Sequence, residues 1–114
     1  MTVSGNVIDG AKFGGIFVIG TGNTIVENQL RNLNLARCNE SGARYGCLYY
    51  PGQPDLLRSG IYLGPGAARP AAAQENVVNG NEISGYGMRE RCVVGAPGVS
   101  LARNKVGSNQ CRGR

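Results

Sequence analysis

Short apolar segments alternate with polar positions along this chain, and four of them share one motif around an asparagine. The motif is an apolar residue, two variable residues, Asn, one variable residue and a second apolar residue, and it is centred on Asn6, Asn28, Asn81 and Asn104. Asn6 and Asn28 are 22 residues apart, and Asn81 and Asn104 are 23 residues apart. A repeat of this length is typical of solenoid architectures, in which each copy adds one layer to a stack.

The interval from Asn28 to Asn81 is 53 residues, which fits either two repeats or one repeat with insertions. Apolar tetrads that end in glycine, at residues 17–20 and 92–95, follow Asn6 and Asn81 at the same distance. One comparable tetrad, at residues 61–64, lies between Asn28 and Asn81. The sequence therefore predicts one repeat with two inserted loops, at about residues 31–59 and 65–74.

Alternation of apolar and polar residues on short segments predicts strands with one face turned inward. On residues 16–19 this pattern places Phe17 and Ile19 inside and Val18 outside. An asparagine at a fixed turn position adopts a left-handed backbone conformation at low cost. Stacked repeats are then expected to align the four asparagines in a column of hydrogen-bonded amides, an Asn ladder.

This combination of strand, Asn bend, strand, variable loop and a further strand resembles the right-handed parallel β-helix repeat of pectate-lyase-like proteins. The resemblance covers nearly the whole chain outside the loops. It implies an all-β fold, with residues 1–114 forming one parallel β-helix domain of about four coils. Members of this superfamily include lyases, hydrolases, epimerases and phage tailspikes, so the resemblance does not select one activity.

Both ends of the chain interrupt a repeat, since residue 1 lies inside one copy and residue 111 begins another. Open ends of a solenoid expose apolar side chains and strand edges, which normally require caps. We therefore expect a piece of a longer β-helix, or a protomer that stacks on a partner such as a second copy. A free-standing small solenoid is the alternative.

Composition fits a turn-rich β protein, because the chain contains 19 glycines and no tryptophan or histidine. Its net charge of +5 favours an acidic partner, and an acidic polysaccharide or glycan fits that sign. Nucleic acid is disfavoured, because no aromatic ladder or binding motif accompanies the basic residues. No apolar run is long enough to span a membrane. The resemblance implies an extracellular or cell-surface location, with any export signal outside these residues.

The resemblance also implies a substrate groove on the outer face of one sheet, which the tetrads place at Val18, Tyr62 and Val93. A tyrosine can stack on a sugar ring, and arginine suits carboxylate recognition. The candidate substrate-binding residues are Tyr62, Arg91, Arg89, Lys12, Arg44 and Arg58. The alternative is a set of solvated charges on a loop-rich surface.

Catalytic residues cannot be named from the sequence, because it offers no paired aspartates for hydrolysis and no clear base. Neither a metal nor another cofactor is predicted, since the chain lacks histidine and any Cys-x-x-Cys motif. Two functional hypotheses remain. One is a domain that acts on or binds an acidic polysaccharide by lyase, hydrolase or epimerase chemistry. The other is a non-catalytic stalk of the tailspike or surface-adhesin type.

The four cysteines fall into two pairs. Cys38 and Cys47 can close a disulfide inside the first insertion, with two free thiols as the alternative. Cys92 and Cys111 are predicted to point inward from neighbouring coils, either as core side chains or as a second disulfide. The first insertion, with Arg44 and Arg58, is expected to carry specificity, because loops on a rigid scaffold are free to vary.

Overall fold

The computed structural model describes residues 2–37, 58–64, 75–97, 99, 101 and 104–113. The described segments form short strands and one four-residue helix: β1 (Thr2–Ser4), β2 (Val7–Asp9), β3 (Ile16–Val18), β4 (Thr24–Val26), β5 (Gln29–Leu33), β6 (Ile61–Leu63), β7 (Val77–Asn79), β8 (Glu82–Gly85), α1 (Met88–Arg91), β9 (Val93–Gly95), β10 (Lys105–Gly107) and β11 (Gln110–Gly113).

The strands form three parallel sheets. Sheet A has the order β1-β4-β7-β10, sheet B has the order β11-β8-β5-β2, and sheet C has the order β3-β6-β9. The chain visits the three sheets in turn, so we call β1–β3, β4–β6, β7–β9 and β10–β11 rungs 1 to 4. The predicted all-β class is confirmed, with parallel sheets. Within the described segments, no helix is long and apolar enough to cross a membrane.

All three sheets contribute to one apolar core. Ile25 and Val78 come from sheet A, Leu30 and Ile83 from sheet B, and Ile61 from sheet C, and each is at most 1% exposed. The parallel registers place Ile25 beside Val78 and Leu30 beside Ile83, so like side chains stack from rung to rung. Burial of such aliphatic side chains supplies about 1.5–3 kcal/mol each relative to exposure.

A row of hydrogen-bonded asparagines joins the rungs where the chain passes from sheet A to sheet B. It contains Asn6, Asn28 and Asn81, and its fourth member is Asn109 rather than Asn104. Each amide donates to the side-chain oxygen of the next asparagine, at 2.8–3.1 Å. The assignment of Asn104 to this row was wrong because the last repeat, from Asn81 to Asn109, spans 28 residues.

Asn104 belongs to a second row, with Asn23 and Asn76, that precedes the strands of sheet A. The backbone N of Asn23 donates to Asn76 Oδ1 at 2.8 Å, and Asn76 Nδ2 donates to Asn104 Oδ1 at 2.9 Å. This second ladder was not predicted. Both rows hold buried amides whose partners are other amides and backbone carbonyls, which offsets the cost of removing them from water.

The turn before each asparagine contains the left-handed residue. Gly5, Glu27, Gly80 and Ser108 have φ between 51° and 69° and stand directly before the members of the first row. The asparagines themselves are not in the left-handed region, contrary to the expectation from sequence. The preceding residue turns the chain, which leaves the asparagine side chain free to point along the stack.

The long interval between Asn28 and Asn81 contains insertions, as predicted, because β4 pairs directly with β7 and β5 with β8. The predicted first insertion, residues 31–59, begins too early, since Arg31–Leu33 still belong to β5. Residues 38–57 and 65–74 lie outside the described part of the chain, and so does the predicted Cys38–Cys47 disulfide.

Cys92 and Cys111 form a disulfide, with their Cα atoms 5.7 Å apart. The bond joins the residue that follows α1 to the middle of β11, so it fastens rung 4 to rung 3. Both cysteines are half-buried; Cys92 packs against the core, and Cys111 is aligned with the inward-facing Ile83, in line with the predicted inward orientation. Of the two states left open by the sequence, the bonded one is observed.

Candidate functional site

The outer surface of sheet B is lined by polar side chains, and we call it the polar face. Ile8, Leu30, Ile83 and Cys111 point inward on the four strands, so the residues on either side of each point outward. The registers align one row of outward residues across all four strands, which is Val7, Gln29, Glu82 and Gln110. The second outward positions are aligned only in pairs, Asp9 with Arg31 and Ser84 with Arg112, because the register between β5 and β8 shifts after Leu30.

Two strands of the polar face carry the same pair of side chains. The guanidinium of Arg31 donates to Gln29 Oε1 on β5, and Arg112 Nη2 donates to Gln110 Oε1 at 3.4 Å on β11. Glu82 and Ser84 of β8 lie between these pairs. The same glutamine–arginine contact therefore recurs on two strands of this surface.

A groove runs along the polar face. Its first part, about 140 Å³, is lined by Arg31, Glu82, Ile83, Ser84, Gln110 and Arg112. Its second part, about 470 Å³, is lined by residues 32–35, Arg37, residues 84–86, Arg112 and Gly113. Ser84 and Arg112 line both parts, so the two parts adjoin each other. It is open to solvent along its length, which suits an extended ligand better than an enclosed small molecule.

The wider part of the groove exists because β5 and β8 lose regular pairing. The register shifts between Leu30 and Leu33, and Asn32 and Asn34 have φ of 51° and 56°. Gly85 has φ 146°, and a Cβ there would overlap the backbone carbonyl of Leu33. Glycine at this position is therefore required both by the backbone angle and by the close approach of β5.

One wall of the wider part is formed by Tyr86 and Arg37. The guanidinium carbon of Arg37 lies 5.8 Å from the centre of the Tyr86 ring, within the range of a cation–π contact. Asn34, which is buried, donates through Nδ2 to the Tyr86 carbonyl at 3.2 Å. An aromatic ring, two arginines and several amides therefore line the same opening.

The face that the sequence predicted to carry the groove, on sheet C, is apolar. Phe17, Tyr62 and Val94 are aligned across it, whereas Val18 aligns with Leu63. Val18 is buried, and Phe17 and Ile19 are about half exposed, so the predicted inward and outward residues of β3 are reversed. The first tetrad was aligned one residue out of register with the second, and a shift of one residue exchanges the two faces of the shifted strand, here β3.

Tyr62 does not offer a stacking surface to a sugar, because it is 2% exposed. Its ring meets the Phe17 ring edge to face, with centres 5.5 Å apart. The Phe17 ring lies over Gly64, where a Cβ would come within 2.5 Å of it. Because Gly64 has no side chain, the Phe17 ring can lie against the backbone there. An apolar recess of about 310 Å³ is lined by Phe13, Gly14–Ile16, Phe17, Ser59 and Tyr62.

The predicted basic residues do not line the groove of the polar face. Arg58 is buried, Lys12 is exposed and lies 5.5 Å from the Phe13 ring centre, and Arg89 is exposed on α1. Arg91 is half-buried, with its guanidinium against Gly87. Arg44 lies outside the described residues. The sequence therefore did not show which of the basic side chains lie together on one surface.

The sequence does contain a signal for the polar face. Each asparagine of the first row is followed by an outward residue, an apolar residue and a second outward residue, as in Gln29-Leu30-Arg31 and Gln110-Cys111-Arg112. Correct placement of Asn109 would have aligned these triplets. The residues missed in this way are Gln29, Arg31, Glu82, Ser84, Gln110 and Arg112.

Where side chains are described, no three His, Cys, Asp or Glu residues come together as a metal site. The polar groups of the groove are instead guanidinium, amide, hydroxyl and one carboxylate, a set that hydrogen-bonds to sugars and carboxylates. Comparison of the chain with protein-family models, with curated proteins and with solved structures finds no match.

Proposed function

We propose that the chain is a right-handed parallel β-helix of about four coils that binds an acidic polysaccharide along the polar face. The solenoid fold is supported by the order in which the chain visits the three sheets and by the two rows of asparagines that cross the rungs. The Cys92–Cys111 disulfide supports an extracellular or cell-surface location, because such bonds persist in oxidising compartments.

The main support for an acidic polysaccharide as the ligand is the repetition of a Gln–Arg pair on β5 and β11. Arg31 and Arg112 lie on strands separated by β8, so their backbones are about 10 Å apart. Planar guanidinium groups bind carboxylates through paired hydrogen bonds, and Gln29 and Gln110 offer amides to hydroxyl groups. A linear chain that carries carboxylates and hydroxyl groups matches this repeat.

The test is the binding of polygalacturonate by titration calorimetry, with fully methyl-esterified pectin as the matched neutral ligand. We expect binding to polygalacturonate that weakens with salt, and little binding to the ester, which lacks the carboxylate charge. The double variant Arg31→Gln/Arg112→Gln should bind at least about tenfold more weakly, since charge-assisted hydrogen bonds contribute about 1.5–3 kcal/mol each.

The matched control is Lys12→Gln/Lys105→Gln, which removes the same charge from exposed residues that do not line the groove. If both double variants lose affinity equally, the attraction is a property of net charge and the groove has no role. If the wild type does not distinguish the acid from the ester, the polysaccharide proposal fails and a stalk-like structural role is favoured.

Glu82 supports a second candidate function, which is lyase chemistry on the same polysaccharide. It is the carboxylate that lines the groove between the strands of Arg31 and Arg112. Glu82 would act as the base that takes the proton next to a uronate carboxylate, and neighbouring guanidinium groups would stabilise the anion that forms. The glycosidic C–O bond at the adjacent ring carbon then breaks as a C=C bond forms, and the departing oxygen takes a proton from water.

We expect the wild type to release unsaturated products from pectate or alginate. The Glu82→Gln variant should release none but should still bind the polysaccharide. If the wild type releases no unsaturated product, the lyase function is rejected.

A further inference from the structure

Within the described residues, the two outer edges of sheets A and B carry half-buried apolar side chains. β1 and β2 form one edge of these sheets, and β10 and β11 form the opposite edge. The inward residues Val3 and Ile8 at one edge are half-buried, as are Val106 and Cys111 at the other, whereas their stacked equivalents in rungs 2 and 3 are fully buried. In the segments that the structure describes, neither edge has a further strand beside it.

We propose that these edges join two copies of this chain head to tail, with β10 and β11 of one copy parallel to β1 and β2 of the next. If the existing registers continue, Val106 lies beside Val3 of the next copy, and Cys111 beside Ile8 of the next copy. This arrangement buries the four half-exposed apolar side chains and pairs both strand edges.

The first asparagine row supports a second copy as the occupant, because its two ends are complementary. Along the row each backbone N–H donates to the Oδ1 of the next asparagine, from Asn6 to Asn28 and onward to Asn109. Among the described residues, Asn6 Oδ1 accepts no hydrogen bond and the backbone N–H of Asn109 donates none. Asn109 of one copy can therefore donate to Asn6 of the next.

Charge supports the same register. Within one chain, Asp9 on β2 lies beside Arg31 on β5. The continued register brings Arg112 beside Asp9 of the next copy, which repeats this pairing of opposite charges. The other neighbours on the outer surface are Gln110 and Val7, so no like charges meet between the described strands of sheet B.

The junction is formed by sheets A and B alone, because rung 4 has no described strand in sheet C. Two pairs of strands of three or four residues make a small interface. We therefore expect weak association that rises with protein concentration. Since the two contacting edges differ, the contact is heterologous and does not close, so it produces a series of oligomers rather than a dimer alone.

The experiment is sedimentation velocity of the full chain over a wide concentration range, with two charge-reversal variants. Asp9→Arg places an introduced arginine beside Arg112 of the neighbouring copy, and Arg112→Glu places an introduced glutamate beside Asp9. Each variant alone should associate at least tenfold more weakly than the wild type. An equimolar mixture should recover association, because every junction between the two variants joins opposite charges.

The control is Glu27→Arg, which makes the same charge change on an exposed residue of rung 2, away from both edges, and should associate as the wild type does. Circular dichroism of each variant checks the fold, and recovery in the mixture cannot arise from misfolded chains. A wild type that stays monomeric at all concentrations, as it would if another polypeptide segment covered the edges, overturns the proposal. The proposal is also overturned if both charge-reversal variants associate as strongly as the wild type, or if their mixture does not recover association.

Discussion

Asn81 Oδ1 accepts two hydrogen bonds from Asn28, one from the backbone N at 3.0 Å and one from Nδ2 at 2.9 Å. Both asparagines are fully buried. One side-chain oxygen of Asn81 thus accepts from the backbone N–H and from the side-chain amide of Asn28, and the same arrangement recurs between Asn6 and Asn28. The asparagine row therefore joins neighbouring rungs by hydrogen bonds to side chains, in addition to the backbone hydrogen bonds of the sheets.

Replacement of Asn81 by alanine should therefore be costly. The variant leaves the backbone N–H and Nδ2 of Asn28 without their buried acceptor, and each such group costs about 1–3 kcal/mol. We expect Asn81→Ala to lower the free energy of unfolding by about 3 kcal/mol in urea denaturation. Asn6→Ala, at the exposed end of the row, should cost less than about 1 kcal/mol. Equal losses at the two positions would contradict a buried ladder.

The disulfide provides a test of how rung 4 is held. Cys92→Ser/Cys111→Ser should lower the free energy of unfolding by about 3 kcal/mol, the chain-entropy value for a loop of similar length to the 19 residues closed here. Either single serine variant should lose nearly as much as the double variant, because one substitution already removes the bond. A double variant with wild-type stability would show that rung 4 does not depend on this link.

The repeat was readable from the sequence because buried asparagines recur before short alternating strands. The assignment of individual asparagines was not, since both rows impose the same local pattern. Asn104-Lys105-Val106 and Asn109-Gln110-Cys111 each consist of asparagine, an exposed residue and an apolar residue. Which row each joins is decided by the rung stacked beside it, and a sequence pattern does not contain that contact.

The orientation of β3 was predicted wrongly for a related reason. Alignment of Gly20 with Gly64 placed Tyr62 opposite Val18, whereas the sheet places Tyr62 opposite Phe17. A strand has a period of two, so this shift of one residue exchanged the predicted inward and outward residues of β3. The polar face was predictable in principle, because its residues flank the best-defined apolar positions of the repeat.

The reversed orientation of β3 leads to a direct test with two neighbouring residues. Val18 is 4% exposed and Ile19 is 50% exposed. Val18→Ala should lower the free energy of unfolding by about 2 kcal/mol, since it opens a cavity in the core, and Ile19→Ala by less than about 1 kcal/mol although it removes a larger side chain. The opposite ranking in chemical denaturation would restore the orientation expected from the sequence.

Gly85 forms the bend that opens the groove, so it connects stability with the proposed binding site. An alanine there would have to adopt φ near 146° and would overlap the backbone of Leu33 on β5. Such backbone strain costs about 1–3 kcal/mol before any steric overlap is counted. We therefore expect Gly85→Ala to lower the free energy of unfolding by more than about 2 kcal/mol.

Gly107 is the matched control for this substitution. It also lies in a strand, β10, but nothing approaches its missing Cβ within 4 Å and its φ is not in the left-handed region. Gly107→Ala should be neutral or slightly stabilising, because alanine reduces the freedom of the unfolded chain. Urea denaturation of the two variants side by side measures the difference. If Gly85→Ala were as stable as Gly107→Ala, β5 and β8 could pair without the irregularity, and the wider part of the groove would not be a fixed feature of the fold.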